Sequence, residues 1–285
     1  MPDASGMTLP NLPGAALATP PLRRGSQWLA TLPTLALQLA SLAGCIAVWH
    51  LLAASRANLG LITFANVPPP LEVVEAALDL LRSPKLTLHL SSSLYRIALG
   101  FSIAALLGVG LGLAIGRFGW ARRTLLPPLE VLRPIPAVAW IPLAILMFPS
   151  SEASMIYITF VGALFPILLN TIHGVEHVDA RLIASGRSLG TRGPALFSEV
   201  ILPAAAPAIV TGLSIGMGTC WFCLVTAEMI SGQFGIGYYT WESYTLQNYP
   251  NIVVGMLLIG VLGMGSSALI RGIGNRLMPW QRREQ

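Results

Sequence analysis

Several short patterns in this 285-residue chain combine residue types that perform chemistry elsewhere. His173-Gly-Val-Glu176-His177 has the H-x-x-E-H spacing of one group of zinc proteases. Zinc hydrolysis needs both imidazoles on one face, a carboxylate base and a further ligand. The other histidines, His50 and His89, are distant in sequence, and Gly174 weakens a helix there by about 1 kcal/mol. A pair of histidines at a membrane boundary is the simpler reading, so no metal site is expected. Gly212-Leu-Ser214-Ile-Gly216 fits the G-x-S-x-G elbow, but that motif needs a preceding strand and a later histidine, and none follows His177. Cys220-Trp-Phe-Cys223 is a C-x-x-C inside an apolar run, where thiols pack as small hydrophobes. No catalytic residue is expected. The G-x-x-x-x-G-K-[ST] phosphate loop requires a lysine, and the only lysine, Lys85, follows Ser83-Pro84. No nucleotide or other cofactor is therefore expected in this chain, and any ATP and Mg would be bound by a partner subunit.

The elements that carry these residues follow from composition. Apolar residues make up 54% of the chain and charged residues only 10%, too few to cover a soluble protein of this size. The mean hydropathy of +0.69 agrees. Low charge and high hydrophobicity also exclude a disordered chain. The net charge of +5 is carried by arginines dispersed between apolar runs, without the basic stripe of a nucleic-acid binder. An all-α integral membrane protein is expected.

A spanning helix needs about 20 apolar residues to cross about 30 Å of hydrocarbon. Six stretches qualify: 34–54, 93–116, 134–148, 153–173, 205–230 and 252–275. The third is short, and Pro134, Pro136 and Pro142 should kink it. Arginines alternate across these spans. Arg23 and Arg24, then Arg117, Arg122 and Arg123, then Arg181, Arg187 and Arg192, then Arg276, Arg282 and Arg283 fall on one side. Residues 149–152 and 231–250, on the other side, contain no Lys or Arg. The positive-inside rule then puts both termini in the cytoplasm. The expected organisation is a cytosolic tail over 1–33, a first span over 34–54, an outer loop over 55–90, a core over 91–278 and a cytosolic tail over 279–285. The first apolar run is too long for a signal peptide and is read as uncleaved. Within the outer loop, Glu72, Glu75 and Asp79 share one face of a predicted amphipathic helix over 71–81.

Gly108, Gly112 and Gly116, and again Gly212 and Gly216, form small-residue strips suited to close helix contacts. Arg96 and Glu228 lie at similar depth near the outer ends of their spans, with opposite sign. A structural ion pair is one reading, and an outer mouth where Arg96 attracts an anion is the other. Arg96, Glu228 and Trp221 are the candidate pathway residues. Trp241, Tyr238, Tyr239, Tyr244 and Tyr249 fit an outer aromatic belt.

The stretch 174–203 is long and cytosolic by this topology. Asp179 to Leu189 has helical periodicity, with Leu182, Ile183, Gly186 and Leu189 on one side and Asp179, Arg181 and Arg187 largely on another. Gly190 falls at a C′ position, and Pro194 can open a second short helix to about Ile201. Exposed apolar side chains on such a helix-turn-helix make a docking element.

This stretch resembles the EAA loop of binding-protein-dependent ABC importer permeases: Glu-Ala-Ala, three residues, Gly, nine residues, Ile, one residue, Leu-Pro. Gly190, Val200, Leu202 and Pro203 keep that spacing, while Ala184-Ser185-Gly186 stand where Glu-Ala-Ala is expected, so the glutamate and any salt link it would make are missing. Ser92-Ser93-Leu94-Tyr95-Arg96, Leu132-Arg133-Pro134-Ile135-Pro136 and Phe234-Gly235-Ile236-Gly237 resemble the nitrate/sulfonate/taurine/bicarbonate branch. The resemblance covers roughly residues 87–278. It implies a type I ABC importer permease fold, a dimer with a second and identical permease subunit, a cytosolic ATPase that receives the coupling helix, and a periplasmic binding protein that delivers a small solute. That solute is expected to be an anion such as nitrate, a sulfonate or bicarbonate. The implied coupling residues are Asp179, Arg181, Ala184, Ser185, Gly186, Arg187, Gly190, Val200, Leu202 and Pro203. The other reading is an ATP-independent secondary transporter or channel. It would need paired charges at the midplane, and Asp and Glu are absent from the centres of the six stretches.

Overall fold

A computed structural model describes residues 27–280, with side chains from residue 36 onward. Most of the predicted 1–33 tail, with Arg23 and Arg24, lies outside the described residues, as do Arg282 and Arg283. Of the described residues, those up to Leu51 form one unit and those from Leu52 another. The first unit is carried by α1 (Gln27–Ala54), which begins seven residues earlier than the predicted span.

In the second unit a non-helical stretch with one bridge, Asn58 to Thr63, precedes a run of helices from Pro70. The amphipathic helix predicted over 71–81 is α2 (Pro70–Arg82), whose Val73 and Leu80 are buried while its carboxylates are exposed. Ser83 caps α3 (Pro84–Arg117) by accepting from the Lys85 N–H at 3.3 Å. The chain continues through α4 (Gly119–Leu132), a 3-10 turn over Ala137–Trp140, α5 (Ile141–Met147) and α6 (Ser151–Glu176). Next come α7 (Ala180–Ser188), α8 (Gly193–Leu196), a π turn over Phe197–Ile201, and α9 (Leu202–Ser231). The chain closes with α10 (Ile236–Thr245) and α11 (Tyr249–Leu277).

α6 is the central helix, held between α3 and α9. The glycine strips set both contacts. A Cβ at Gly100, Gly108, Gly112 or Gly116 of α3 would stand 2.7, 2.9, 2.6 or 2.8 Å from Thr159, Ile167, Thr171 or Val175 of α6. The offset is constant and ascending, so α3 and α6 run parallel at backbone contact. On the other side Gly212 meets Asn170, Gly216 meets Ile167, and Cys223 fits over Gly162, a descending order that makes α9 antiparallel. Gly274 of α11 meets Val210, and Gly263 meets Trp221, so α11 is antiparallel to α9. Cys220 and Cys223 are free thiols in the core around Ile158, Ala163, Trp221 and Leu224.

The parallel run of α3 and α6 corrects the third predicted span. Two parallel neighbours require the chain between them to return along their whole length. That return is residues 119–147, bent by 83° between α4 and the turn before α5. Near α3's C-terminus, Leu125, Leu126 and Leu129 pack on Ile115, Leu168 and Ile172. At the far end the Ala144 carbonyl accepts from Ser154 Oγ at 3.0 Å. The third crossing is therefore broken, starts some fifteen residues before Pro134, and contains only a seven-residue α5 in place of the predicted 134–148 helix. Glu130 and Arg133 fall inside this longer crossing, whereas the predicted 134–148 stretch contained neither.

One end of the bundle collects Arg117, Arg122, Arg181, Arg187, Arg192 and Arg276, with Arg122 paired to Glu176. At the opposite end α2, α10 and the start of α11 enclose a cleft of about 590 Å³ lined by Glu72, Glu75, Asp79 and Glu242, with Lys85 its single cation. Tyr238 donates to Glu242 at 3.3 Å, and that carboxylate holds the phenol above its usual value. Trp241 and Tyr244 are exposed together there, as an aromatic belt requires, whereas Tyr239 is buried beside His89.

Candidate functional site

The helix-turn-helix at the basic end is built almost as its sequence predicts. Asp179 caps α7, its Oδ1 accepting from the Arg181 N–H at 2.8 Å. The C-terminus closes in a Schellman motif: Thr191 N–H donates to Gly186 O at 3.0 Å, and Gly190 N–H to Arg187 O at 3.0 Å. That closure requires a left-handed residue, and Gly190 sits at φ +90°. Pro194 lies in the first turn of α8, where its missing N–H leaves no bond unmade.

The apolar side of α7 divides into two. Gly186 is buried, and a Cβ there would touch Val200 at 3.0 Å and Leu196 at 3.1 Å, so α7 leans on the turn that leads into α9. Leu182 and Leu189, seven residues apart, face outward at 51% and 86% exposure, beside exposed Arg181, Ala184, Ser185 and Arg187. Ile201, Val175, Ala205 and Ile209 pack together where Leu202 and Pro203 begin α9. A push on α7 would thus pass through Gly186, Val200 and Leu202 into a 30-residue helix that contacts α6, α10 and α11. The arrangement offers a rigid, mixed basic and apolar knob that is mechanically continuous with the core.

His173 and His177 stack at 3.8 Å, and His177 Nδ1 lies 2.9 Å from the His173 carbonyl. Glu176, between them, is taken by Arg122.

At the other end the structure brings Arg96 and Glu228 together and adds partners. Arg96 Nη1 donates to Glu228 Oε1 at 2.8 Å and to the Phe234 carbonyl. Its Nε donates to Glu152 Oε2 at 2.8 Å, and its Nη2 to Glu152 Oε1, a bidentate pair. Glu228 also accepts from Ser93 Oγ at 2.8 Å and from the Gly237 N–H at 2.8 Å. Ser93 in turn accepts from the Ile236 N–H at 2.9 Å, and His89 Nδ1 from the Gly235 N–H at 3.1 Å. The 234–237 turn is thereby folded over a buried carboxylate. Gly235, at φ +147°, is obligatory, because a Cβ would overlap the Glu228 carboxyl.

These contacts show what the three pathway candidates bond to within the chain. Arg96 is 1% exposed and Glu228 fully buried, with their polar atoms engaged, so the structure gives the ion-pair reading of the two. Trp221 is buried and donates to Ser266 Oγ at 2.9 Å, joining α9 to α11. None of the three presents a free group to a solute. Glu152 was missed. Its signal was faint: it is the one charge in the 149–152 loop, two residues past the Ser150 cap of α6.

Comparison with known proteins fits this geometry. Residues 104–283 match the family model of the binding-protein-dependent transport system inner membrane component. A nitrate import permease protein of Synechocystis sp. is 32% identical over 248 residues, covering 84% of this chain and 88% of its own length. A protein named as an aliphatic sulfonates transport permease in Bacillus subtilis is 35% identical over 240 residues, covering 83% of this chain and 84% of its own. Its Escherichia coli namesake is 38% identical over 220 residues, covering 77% and 82%.

Proposed function

This chain belongs to the binding-protein-dependent transport system inner membrane components, as a multi-pass ABC importer permease of the nitrate and sulfonate branch with the type I fold, and from that premise we propose that it is an ATP-driven gate powered through α7. The observation that carries this reading is the outward-facing, doubly capped α7 seated by Gly186 on the start of α9. A separate cytosolic ATPase subunit binds ATP and Mg and receives Leu182, Leu189, Arg181 and Arg187. Its closure moves α7, and α9 with it. The basic end is cytoplasmic and both termini lie on that side of the bacterial inner membrane, in line with the arginine distribution. A second permease, of the same sequence, completes the pathway. A periplasmic binding protein delivers the solute to the opposite end. That solute is a small anion of the nitrate, sulfonate or bicarbonate kind, by analogy with the names of the relatives.

Substitution Gly190→Val tests the drive. Valine at φ +90° is strained, so the Schellman closure opens while every membrane helix is untouched. The expected result is normal insertion, weakened co-purification with the ATPase and lost uptake. Unchanged co-purification and uptake would reject the reading.

A further inference from the structure

We propose that the break in the third crossing, at Arg133–Trp140, is an oxyanion-binding position on the permeation path, with Arg133 supplying charge and the Trp140 indole N–H a hydrogen bond. The inference rests on the reading of this chain as an anion importer.

The first observation is the backbone. Pro134 and Pro136 interrupt the helix between α4 and the Ala137–Trp140 turn. This segment lies within the crossing, because Leu129 packs near the basic end and Ala144 bonds to Ser154 at the other. Irregular backbone at membrane depth is tolerated only where protein buries it or where it lines a water-filled cavity. Arg133, Pro134, Ile135, Pro136 and Ala139 are exposed, while Ala137, Val138 and Trp140 pack on the core, so the chain's own core buries only one side of it. Broken helices near the middle of transporters are where solutes are held.

The second observation is charge. An arginine inside a crossing is costly and pairs with an acid or faces water. Among the described residues the ion pairs are Arg96 with Glu152 and Glu228, and Arg122 with Glu176. Arg133 is exposed and has no side-chain partner. Glu130, one turn earlier on α4, is exposed and equally unpaired. Arg96 has its donors occupied, whereas Arg133 is exposed and unpaired and lies at the break itself.

The third observation is independent of both. Trp140 Nε1 is the one buried side-chain polar atom without a partner among the described residues. Buried donors are almost always satisfied, and an exception calls for a missing acceptor. Indole is a donor only, which suits an oxygen-rich anion. A small monoanion with oxygen acceptors, of the nitrate or alkanesulfonate type, has the chemistry that a guanidinium and an indole N–H each call for. Guanidinium recognises such oxygens in pairs, which lysine cannot copy.

The test uses the whole importer, with its ATPase and binding protein, in proteoliposomes supplied with nitrate or ethanesulfonate in separate assays. Arg133→Gln should lower uptake roughly tenfold or more, the scale of a charge-assisted bond. Complex assembly and binding-protein-stimulated ATP hydrolysis should persist. Arg133→Lys should recover uptake in part, and Trp140→Phe should lower it about threefold to tenfold. Wild-type uptake in both Arg133→Gln and Trp140→Phe overturns the proposal. Should Arg133→Gln fail to assemble, Trp140→Phe decides alone, and wild-type uptake there overturns it. A wild-type importer that assembles and hydrolyses ATP but moves neither anion overturns the anion reading on which this one stands.

Discussion

Arg96 shows how a buried charge is kept. Its guanidinium is held by two carboxylates from α6 and α9 and by the Phe234 carbonyl, and the Glu228 carboxylate is held in turn by Ser93 and the 234–237 turn. Removing one partner of such a pair leaves an uncompensated charge, which costs about 3–5 kcal/mol. Arg96→Leu should therefore lower the thermal midpoint in detergent sharply, and Glu228→Gln less, because Arg96 keeps Glu152. Glu152→Gln should cost least, about 1 kcal/mol or under, since Glu152 is 48% exposed and water screens it. A ranking with Glu152→Gln most damaging would refute this account. The sequence carries the opposite signs and similar depth of Arg96 and Glu228. It hides Glu152, because nothing in a linear pattern says that the parallel packing of α3 on α6 brings the first turn of α6 alongside Arg96.

The helices separate into contacts written in residue size and contacts written in backbone geometry. The glycine spacing of α3 is legible because a four-residue repeat stays on one helix face, and the structure lays that face on α6. This predicts a contrast between neighbours. Gly112→Ala must place a Cβ 2.6 Å from Thr171 and 3.0 Å from the Leu168 carbonyl, and should destabilise by about 1–3 kcal/mol. Gly110→Ala meets nothing within 4 Å, and should be neutral or stabilising by about 0.5–1 kcal/mol, as alanine replaces glycine in a helix. Thermal unfolding of the two variants reads the difference, and equal midpoints would mean that α3 does not approach α6 so closely. The coupling element is legible for a related reason, since Asp179, Gly190 and Pro194 each have one helix-end position they fit best. The third crossing is illegible in detail. Its prolines destroy the 3.6-residue period, so a hydropathy reading starts at Pro134 and overlooks α4, whose arginines and Glu130 disguise it as a loop.

For the molecule as a whole, the decisive relation is that α3 and α6 point the same way, which obliges residues 119–147 to cross. Charge alternation reaches the same number of crossings by a separate route, with arginines on alternate loops. Single cysteines, placed in a protein whose exposed Cys45 has been replaced and whose Cys220 and Cys223 are buried, should report both the parallel helices and the charge alternation. Leu189→Cys, at a position 86% exposed beside the coupling turn, should react with a membrane-impermeant maleimide only after spheroplasts are opened. Leu246→Cys, at 72% exposure after α10, should react in intact spheroplasts. Pro149→Cys, exposed between α5 and α6, distinguishes a crossing from a re-entrant loop. If 119–147 crosses, it labels with Leu246→Cys. If Pro149→Cys instead labels with Leu189→Cys, α6 would start on the cytoplasmic side, the parallel pairing of Gly112 with Thr171 could not exist, and the path assigned to Arg133 would lose its place in the membrane.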